Sequence, residues 1–200
     1  ARNRERFGMA ARNEVLAVEV ERDRAELESL RAEAAADAAE ANLQRLLALG
    51  HVSRDRRPGG DVLGGSVTFG ALAVRKLGWE AAILTSAGPD FEPERELPGI
   101  PAFVRRSSAT TRFVNEYAAD GTRHQVVTAR AEDVGLEALH LAWRDPDALL
   151  LGPLVGELAG VGATALEAGC VGAIAQGYVR AIDGDGHVSA REWARPERDL

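Results

Sequence analysis

The sequence predicts an α/β domain: a mostly parallel sheet flanked by helices, with an antiparallel hairpin attached and a long helix ahead of it. Three observations carry this. Short apolar runs near 46–50, 81–87, 148–153 and 171–176 are bounded by turn residues and separated by helix-patterned segments, as expected of strands buried on both faces. Residues 111–128 alternate in part around Asp120-Gly121, whose residue types tolerate the positive φ of a tight hairpin turn. Residues 1–42 are rich in Ala, Glu and Arg, with no proline and a single glycine, Gly8.

In that first segment Leu16, Val20, Leu27, Leu30 and Ala34 recur at roughly helical spacing, with Glu and Arg between them. The stripe is thin and Ala-rich. It fits a coiled coil, a docking helix or a solvent-exposed extension without chemistry. The next segment, 43–200, reads as one domain. Its opening run "LLALGHVSRD" is a buried strand feeding a loop, and "RRPGGDVLGG" is turn-rich. Ser66 to Leu77 reads as a helix with Phe69, Leu72, Ala73 and Leu77 on one side and Gly78 as its C-cap. "EAAILTSAG" is the next strand. In the hairpin, Thr111, Phe113, Asn115 and Tyr117 fall on one face. "EDVGLEALHLAW" reads as a short helix, "ALLLGPLVGE" as a strand and loop, 158–168 as a helix, and "CVGAIAQGYVRAI" as another strand. "IDGDGHV" reads as a turn.

Composition narrows the function. The chain has 200 residues and a net charge of −7, with its basic residues scattered among acidic ones, so no nucleic-acid surface is expected. No apolar run reaches the roughly 18 residues of a membrane span, and no signal-peptide pattern is present. The single cysteine, Cys170, excludes an intrachain disulfide and a cysteine-rich zinc site, and reads as a small buried hydrophobe in a strand. A cytoplasmic setting fits. His51, His124, His140 and His187 show no metal-ligand spacing, so no metal site is expected from them.

The stretch with most chemical content is Gly64-Gly65-Ser66-Val67-Thr68-Phe69-Gly70-Ala71. Two glycines before a helix let the backbone approach a ligand, and the helix N-terminus offers free N–H groups. Ser66 or Thr68 could cap the helix or bond a hydroxylated ligand. A tight turn with a capping serine explains the same residues. The stretch is neither a P-loop nor a dinucleotide-binding G-x-G-x-x-G.

The wider spacing resembles the ribokinase-like (PfkB) carbohydrate kinase family. Gly64-Gly65, Ala71, Gly78 and Gly88 fall at the spacing of that family's first signature, and "RKLGWEAAILTSAGPD" is similar to its continuation. "ALGHVSRD" resembles the opening strand, whose terminal acidic residue contacts sugar hydroxyls. "TTRFVNEYAADGTRHQ" resembles the following hairpin, and "LLLGPLVGE" with "VGAIAQGYVRAIDGDGHV" the next core strands. The resemblance covers about 46–193. It implies a ribokinase-like sheet, a sugar or sugar-like small-molecule substrate, and ATP and Mg²⁺ as cofactors. It also implies substrate contacts from Asp55, Gly64, Gly65, Ser66 and Thr68. Asp55 otherwise reads as a loop cap beside Arg54 and Arg56; the resemblance favours ligand contact. Glu157 reads either as a substrate or magnesium-shell group or as a helix N-terminal glutamate. Thr110, Thr111, Asn115, Gln125 and Gln176 could reach a ligand or simply form a wet face.

Two departures matter. Phe69 stands where the family's sugar-binding Asn is expected; it can stack on a ligand or join the core, and the core reading is the expectation. The family's Gly-x-Gly-Asp motif, which supplies an anion hole and the general base, is absent from residues 1–200. The sequence therefore reads as the N-terminal, substrate-side part of such a kinase, truncated on the C-terminal side and without catalytic residues. Its partner would be the missing C-terminal half or a second copy of the chain. A non-catalytic ligand-binding or assembly protein derived from a sugar kinase is the alternative.

Overall fold

The computed structural model describes residues 20–29, 45–57 and 59–193. The chain divides into two units, 1–43 and 44–200. In the first, residues 20–29 form a helix (α1) whose side chains are all exposed. The remainder of the expected long helix lies outside the described residues.

The second unit is built on a five-stranded sheet. Its strands are β1 (Arg45–Leu49), β4 (Glu80–Ala87), β5 (Ala102–Arg106), β8 (Ala148–Leu151) and β9 (Cys170–Ala173), in the order β5-β4-β1-β8-β9. Every pairing in it is parallel. Both faces of β1 are apolar because both are covered. Leu46 and Ala48 join a cluster with Val67, Ala71 and Ile83 under helix α2 (Ser66–Lys76). Leu47 and Leu49 join Leu84, Leu149, Leu151, Leu158 and Val161 on the other side. Period-two alternation with no polar face is what a two-sided parallel sheet demands.

A second, four-stranded sheet lies in the order β3-β2-β6-β7, from β2 (Ser53–Arg57), β3 (Gly60–Gly64), β6 (Thr111–Tyr117) and β7 (Arg123–Ala129). The β6–β7 hairpin is as expected, with Gly121 at φ 84° in its turn. A further hairpin, β10 (Arg180–Ile182) with β11 (Val188–Ala190), carries the "IDGDGHV" turn and bridges to β7 between Val126 and His187. The chain passes from β1 into β2 through only Gly50, His51 and Val52, so the two sheets meet at that junction.

Several local expectations are corrected. Ser53–Arg57 and Gly60–Gly64 form a strand pair instead of a loop and turn. β2, "SRDRR", has no apolar alternation to mark it, and its pairing to β3 and β6 supplies the order. Helix α2 buries Val67, Thr68 and Ala71, not the Phe69–Leu72–Leu77 side; those three are 62%, 38% and 73% exposed. Gly78 does follow the helix, at φ 89°. The segment 158–168 is not a helix: a single 3-10 turn, Ala163–Ala165, forms there. Gly160 and Gly162 each cost a helix about 1 kcal/mol, while Leu158 and Val161 still reach the core. The segment after Glu132 forms two 3-10 turns, Leu136–Ala138 and Leu141–Trp143. The run from Cys170 breaks after Ala173 into a 3-10 turn and then β10. Cys170 is exposed, because β9 is an edge strand.

Candidate functional site

Where the two sheets meet, a cavity of about 340 Å³ opens. The loops after β8 and β9 bring Leu154 and Gln176 to it, and the residues just beyond β1 bring Ser53 and Asp55. Ligands in open α/β sheets gather at these carboxyl ends. The second sheet forms the facing wall with alternate residues of three strands: Ser53, Asp55 and Arg57 from β2, Phe113, Asn115 and Tyr117 from β6, Arg123 and Gln125 from β7. Arg180 of β10 closes one side, and Gly65, Ser66 and Phe69 of the α2 entrance another.

Alternation along β2 separates two jobs. Arg54, on the opposite face, is buried and bonds both oxygens of Glu96, at 2.5 and 2.7 Å. Burial alone would raise the Glu96 carboxyl; the hydrogen bond from Arg54, with the Glu92 N–H, holds it below the usual carboxylate range. Asp55, facing the cavity, accepts a hydrogen bond from Ser53 Oγ at 3.1 Å. Across the hairpin, Gln125 Nε2 donates to Asn115 Oδ1 at 2.8 Å. Gln125 Oε1 is buried with no partner among the described residues. A buried acceptor without a donor costs roughly 1–3 kcal/mol, so this oxygen favours an incoming hydroxyl.

The glycine doublet serves the chain's own close approaches. A Cβ on Gly64 would lie 2.7 Å from Asp55 Oδ2 and 2.8 Å from Ser53 Oγ. Gly65, at φ 103°, would set a Cβ 2.6 Å from the His51 carbonyl. Gly65 and Ser66 line the cavity, and Ser66 Oγ donates to Gln176 Oε1 at 3.3 Å. Thr68 is buried; its hydroxyl donates back to the Gly64 carbonyl at 2.8 Å and takes no part in the lining. Phe69, expected in the core, is exposed on the cavity wall.

Beneath the cavity lies a buried polar brace. Glu157 is fully buried and accepts from three backbone N–H groups: His51 at 2.8 Å, Leu154 at 2.9 Å and Val155 at 2.8 Å. It therefore ties the β1–β2 junction to the loop after β8. With both oxygens turned into the chain, Glu157 does not fit a magnesium shell facing the cavity. Among the described residues no group of three His, Cys, Asp or Glu is arranged to hold a metal. His51 extends the brace. Its Nε2 lies 2.8 Å from the Glu132 carbonyl, which can only accept, so the proton sits on Nε2. Nδ1 then accepts from Thr111 Oγ1 at 2.8 Å, and Thr111 Oγ1 accepts from Ala131 N–H. Burial lowers the imidazole pKa against the pull of Glu157, and the neutral tautomer satisfies the network. Thr110 is also internal, donating to Asp90 and accepting from Gly88 N–H.

Of the residues expected at a site, the cavity gathers Asp55, Gly65, Ser66, Asn115, Gln125 and Gln176; Gly64, Thr68 and Glu157 support it from within. Arg57, Tyr117, Arg123 and Arg180 also line it without having been expected there. Tyr117 was foreshadowed by the alternation along β6, but the arginines lie far apart in sequence and carry no local signal.

Comparison with protein-family models and with curated proteins finds no match. Solved structures do match. One is a pyrophosphate-dependent kinase in the ribokinase family complexed with a pyrophosphate analog and myo-inositol. It is 25% identical at TM-score 0.56, over 75% of this chain and 56% of that one. A sulfate complex of a pyrophosphate-dependent kinase in the ribokinase family is 24% identical at TM-score 0.60, with the same coverage. A pyrophosphate-dependent myo-inositol-1 kinase converted into a myo-inositol-3 kinase is 22% identical at TM-score 0.57, over 75% and 54%. The chain thus spans a little over half the length of the structures it resembles. No described helix is long and apolar enough to cross a membrane. The architecture, a parallel core sheet with a second sheet walling a cavity at its carboxyl ends, is a ribokinase-like fold.

Proposed function

We propose that the domain is the acceptor-binding part of a PfkB-type carbohydrate kinase, acting in the cytoplasm, and that its cavity takes a sugar or sugar-like polyol. The observation that carries this is the arrangement of hydrogen-bonding groups around one small cavity. A carboxylate on Asp55 can accept from two vicinal hydroxyls at once, and the Asn115–Gln125 amide pair offers both a donor and an acceptor opposite it. Phe113, Tyr117 and Phe69 give apolar faces against which a ring can lie. Likeness to a kinase whose structure holds myo-inositol supports the same class of ligand.

The parent reaction is phosphoryl transfer to a hydroxyl of that polyol, a reaction governed by positioning and charge stabilisation. The family resemblance implies ATP and Mg²⁺; the similar structures named above use pyrophosphate as donor. Residues 1–200 hold no Gly-x-Gly-Asp motif, and among the described residues no group of three His, Cys, Asp or Glu is arranged to hold a metal. By itself this chain binds acceptor without turnover. Titration calorimetry with neutral polyols, myo-inositol and ribose among them, tests the reading. Asp55→Asn should weaken binding by about tenfold, the worth of one hydrogen bond to a charged group. Absence of binding by every polyol, or polyol-dependent turnover of ATP or pyrophosphate by this chain alone, refutes it.

A further inference from the structure

The cavity carries more positive charge than a neutral polyol needs. Arg57, Arg123 and Arg180 line it against a single carboxylate, Asp55. This is not a by-product of composition, because the chain as a whole carries a net charge of −7. Arg57 and Arg123 make no ion pair among the described residues. Arg180 is half-buried, lies 5.5 Å over the Phe113 ring and donates only a long, 3.4 Å bond to the Leu154 carbonyl. Elsewhere the chain pairs its partly buried arginines with carboxylates: Arg54 with Glu96, and Arg112 with Asp61 and Asp90.

We infer that the acceptor taken by this cavity is an anionic polyol, a sugar or cyclitol already bearing a phosphate monoester or a carboxylate, with the anion on Arg123 and Arg180 and the hydroxyls on Asp55 and the Asn115–Gln125 pair. The inference rests on the reading of this cavity as an acceptor site. Guanidinium groups match phosphate and carboxylate oxygens two at a time, and such charge-assisted bonds are about twice as strong as neutral ones. Burial, joined by the like charge of Arg123, pushes the Arg180 guanidinium below its usual range, although Asp55 and Glu157 pull the other way. An arginine so placed stays protonated and gains from an anion that relieves both effects. The cavity volume of about 340 Å³ suits a monocyclic ligand with one such group.

Calorimetry on the full chain decides it, with matched pairs as probes: myo-inositol and its 1-phosphate, glucose and glucose 6-phosphate, glucose and gluconate, plus inorganic phosphate and pyrophosphate alone. At least one anionic polyol should bind about tenfold or more tightly than its neutral parent, with an affinity that falls as salt rises. Arg123→Gln and Arg180→Gln should each weaken the anionic polyol more than its neutral parent, so that the ratio of the two affinities falls several-fold; a variant that weakens both equally counts against the inference. If neutral polyols bind as tightly as their charged partners, the inference falls and the acceptor reading stands. If phosphate or pyrophosphate alone binds as tightly as the charged polyols, the arginines hold a free anion and the inference falls. If no polyol binds, both readings fall.

Discussion

Glu157→Gln is the substitution that tests the architecture of the site most directly. It keeps the side-chain shape and changes one oxygen into an NH₂. The Glu157 oxygens share three N–H donors: Oε1 serves His51 and Leu154, Oε2 serves Leu154 and Val155. Either orientation of the amide leaves Leu154 served and turns an N–H toward another N–H, orphaning His51 in one case and Val155 in the other. One unsatisfied buried donor costs roughly 1–3 kcal/mol, and the two surviving bonds each lose about 1 kcal/mol of charge assistance. The sum is about 3–5 kcal/mol, a large share of the roughly 5–15 kcal/mol typical of a domain. Equilibrium urea denaturation at pH 7, followed by tryptophan fluorescence, measures it. Glu116→Gln, at an exposed position of β6, is the control and should stay within about 0.5 kcal/mol of wild type. If Glu157→Gln also stays within that margin, the brace does not hold the β1–β2 junction to the β8 loop.

Two other perturbations follow from the buried groups. His51 is held neutral, so below the unfolded-state value near 6.5 the unfolded chain binds a proton that the folded chain does not. Its contribution should therefore fall as pH drops through 6.5 toward the lowered folded value, by at most about 1.4 kcal/mol between pH 7.5 and 5.5. The stability of His51→Gln, measured against wild type at the two pH values, should lack that slope; an identical slope in both proteins rejects the assignment. Arg54→Ala should cost about 2–4 kcal/mol in the same denaturation assay at pH 7, because Glu96 is left without its guanidinium. The Glu96 pKa is depressed, so the pair stabilises above the unfolded carboxyl value near 4.5, and the gap between variant and wild type should narrow as pH falls through the lower folded value. Ligand affinity should be unchanged by Arg54→Ala, since that side chain faces away from the cavity.

The core sheet was legible because its signal is local. Leu46 to Leu49 and Ala81 to Leu84 are apolar on both faces, and runs this short between turn residues fit two-sided strands. β2 was not legible, because "SRDRR" owes its order to partners 58 residues away in β6 and to the ion pair with Glu96. Phe69 misled for a related reason. Helical spacing groups it with Leu72 and Leu77, but the sheet takes Val67 and Ala71 and leaves the larger side chains outside. At the site, Asp55 and the glycine doublet could be named through the family resemblance. The job of Gly64 could not, because the atoms that need its missing Cβ belong to Asp55 and Ser53 on the neighbouring strand. The cavity's positive side is less legible still: Arg57, Arg123 and Arg180 meet only through the packing of three strands.

The same packing separates what positions the cavity from what contacts a ligand. Asp55 is positioned before a ligand arrives. Ser53 bonds its carboxylate, Gly64 leaves that carboxylate the space a Cβ would fill, and His51, two residues before the strand, is tied to Thr111 and Glu157. A carboxylate held in this way loses little freedom on binding, so most of its hydrogen-bond energy appears as affinity. Tyr117 and Arg123 face each other at the turn end of the hairpin, exposed, with nothing in the brace depending on them. Changes at that tip can alter which ligand is accepted while the fold stays intact, whereas changes at His51, Glu157 or Gly64 must cost stability and affinity together. A ribokinase-like frame can therefore keep its brace and its cavity-facing Asp55 while the side chains at the opposite end of the cavity change.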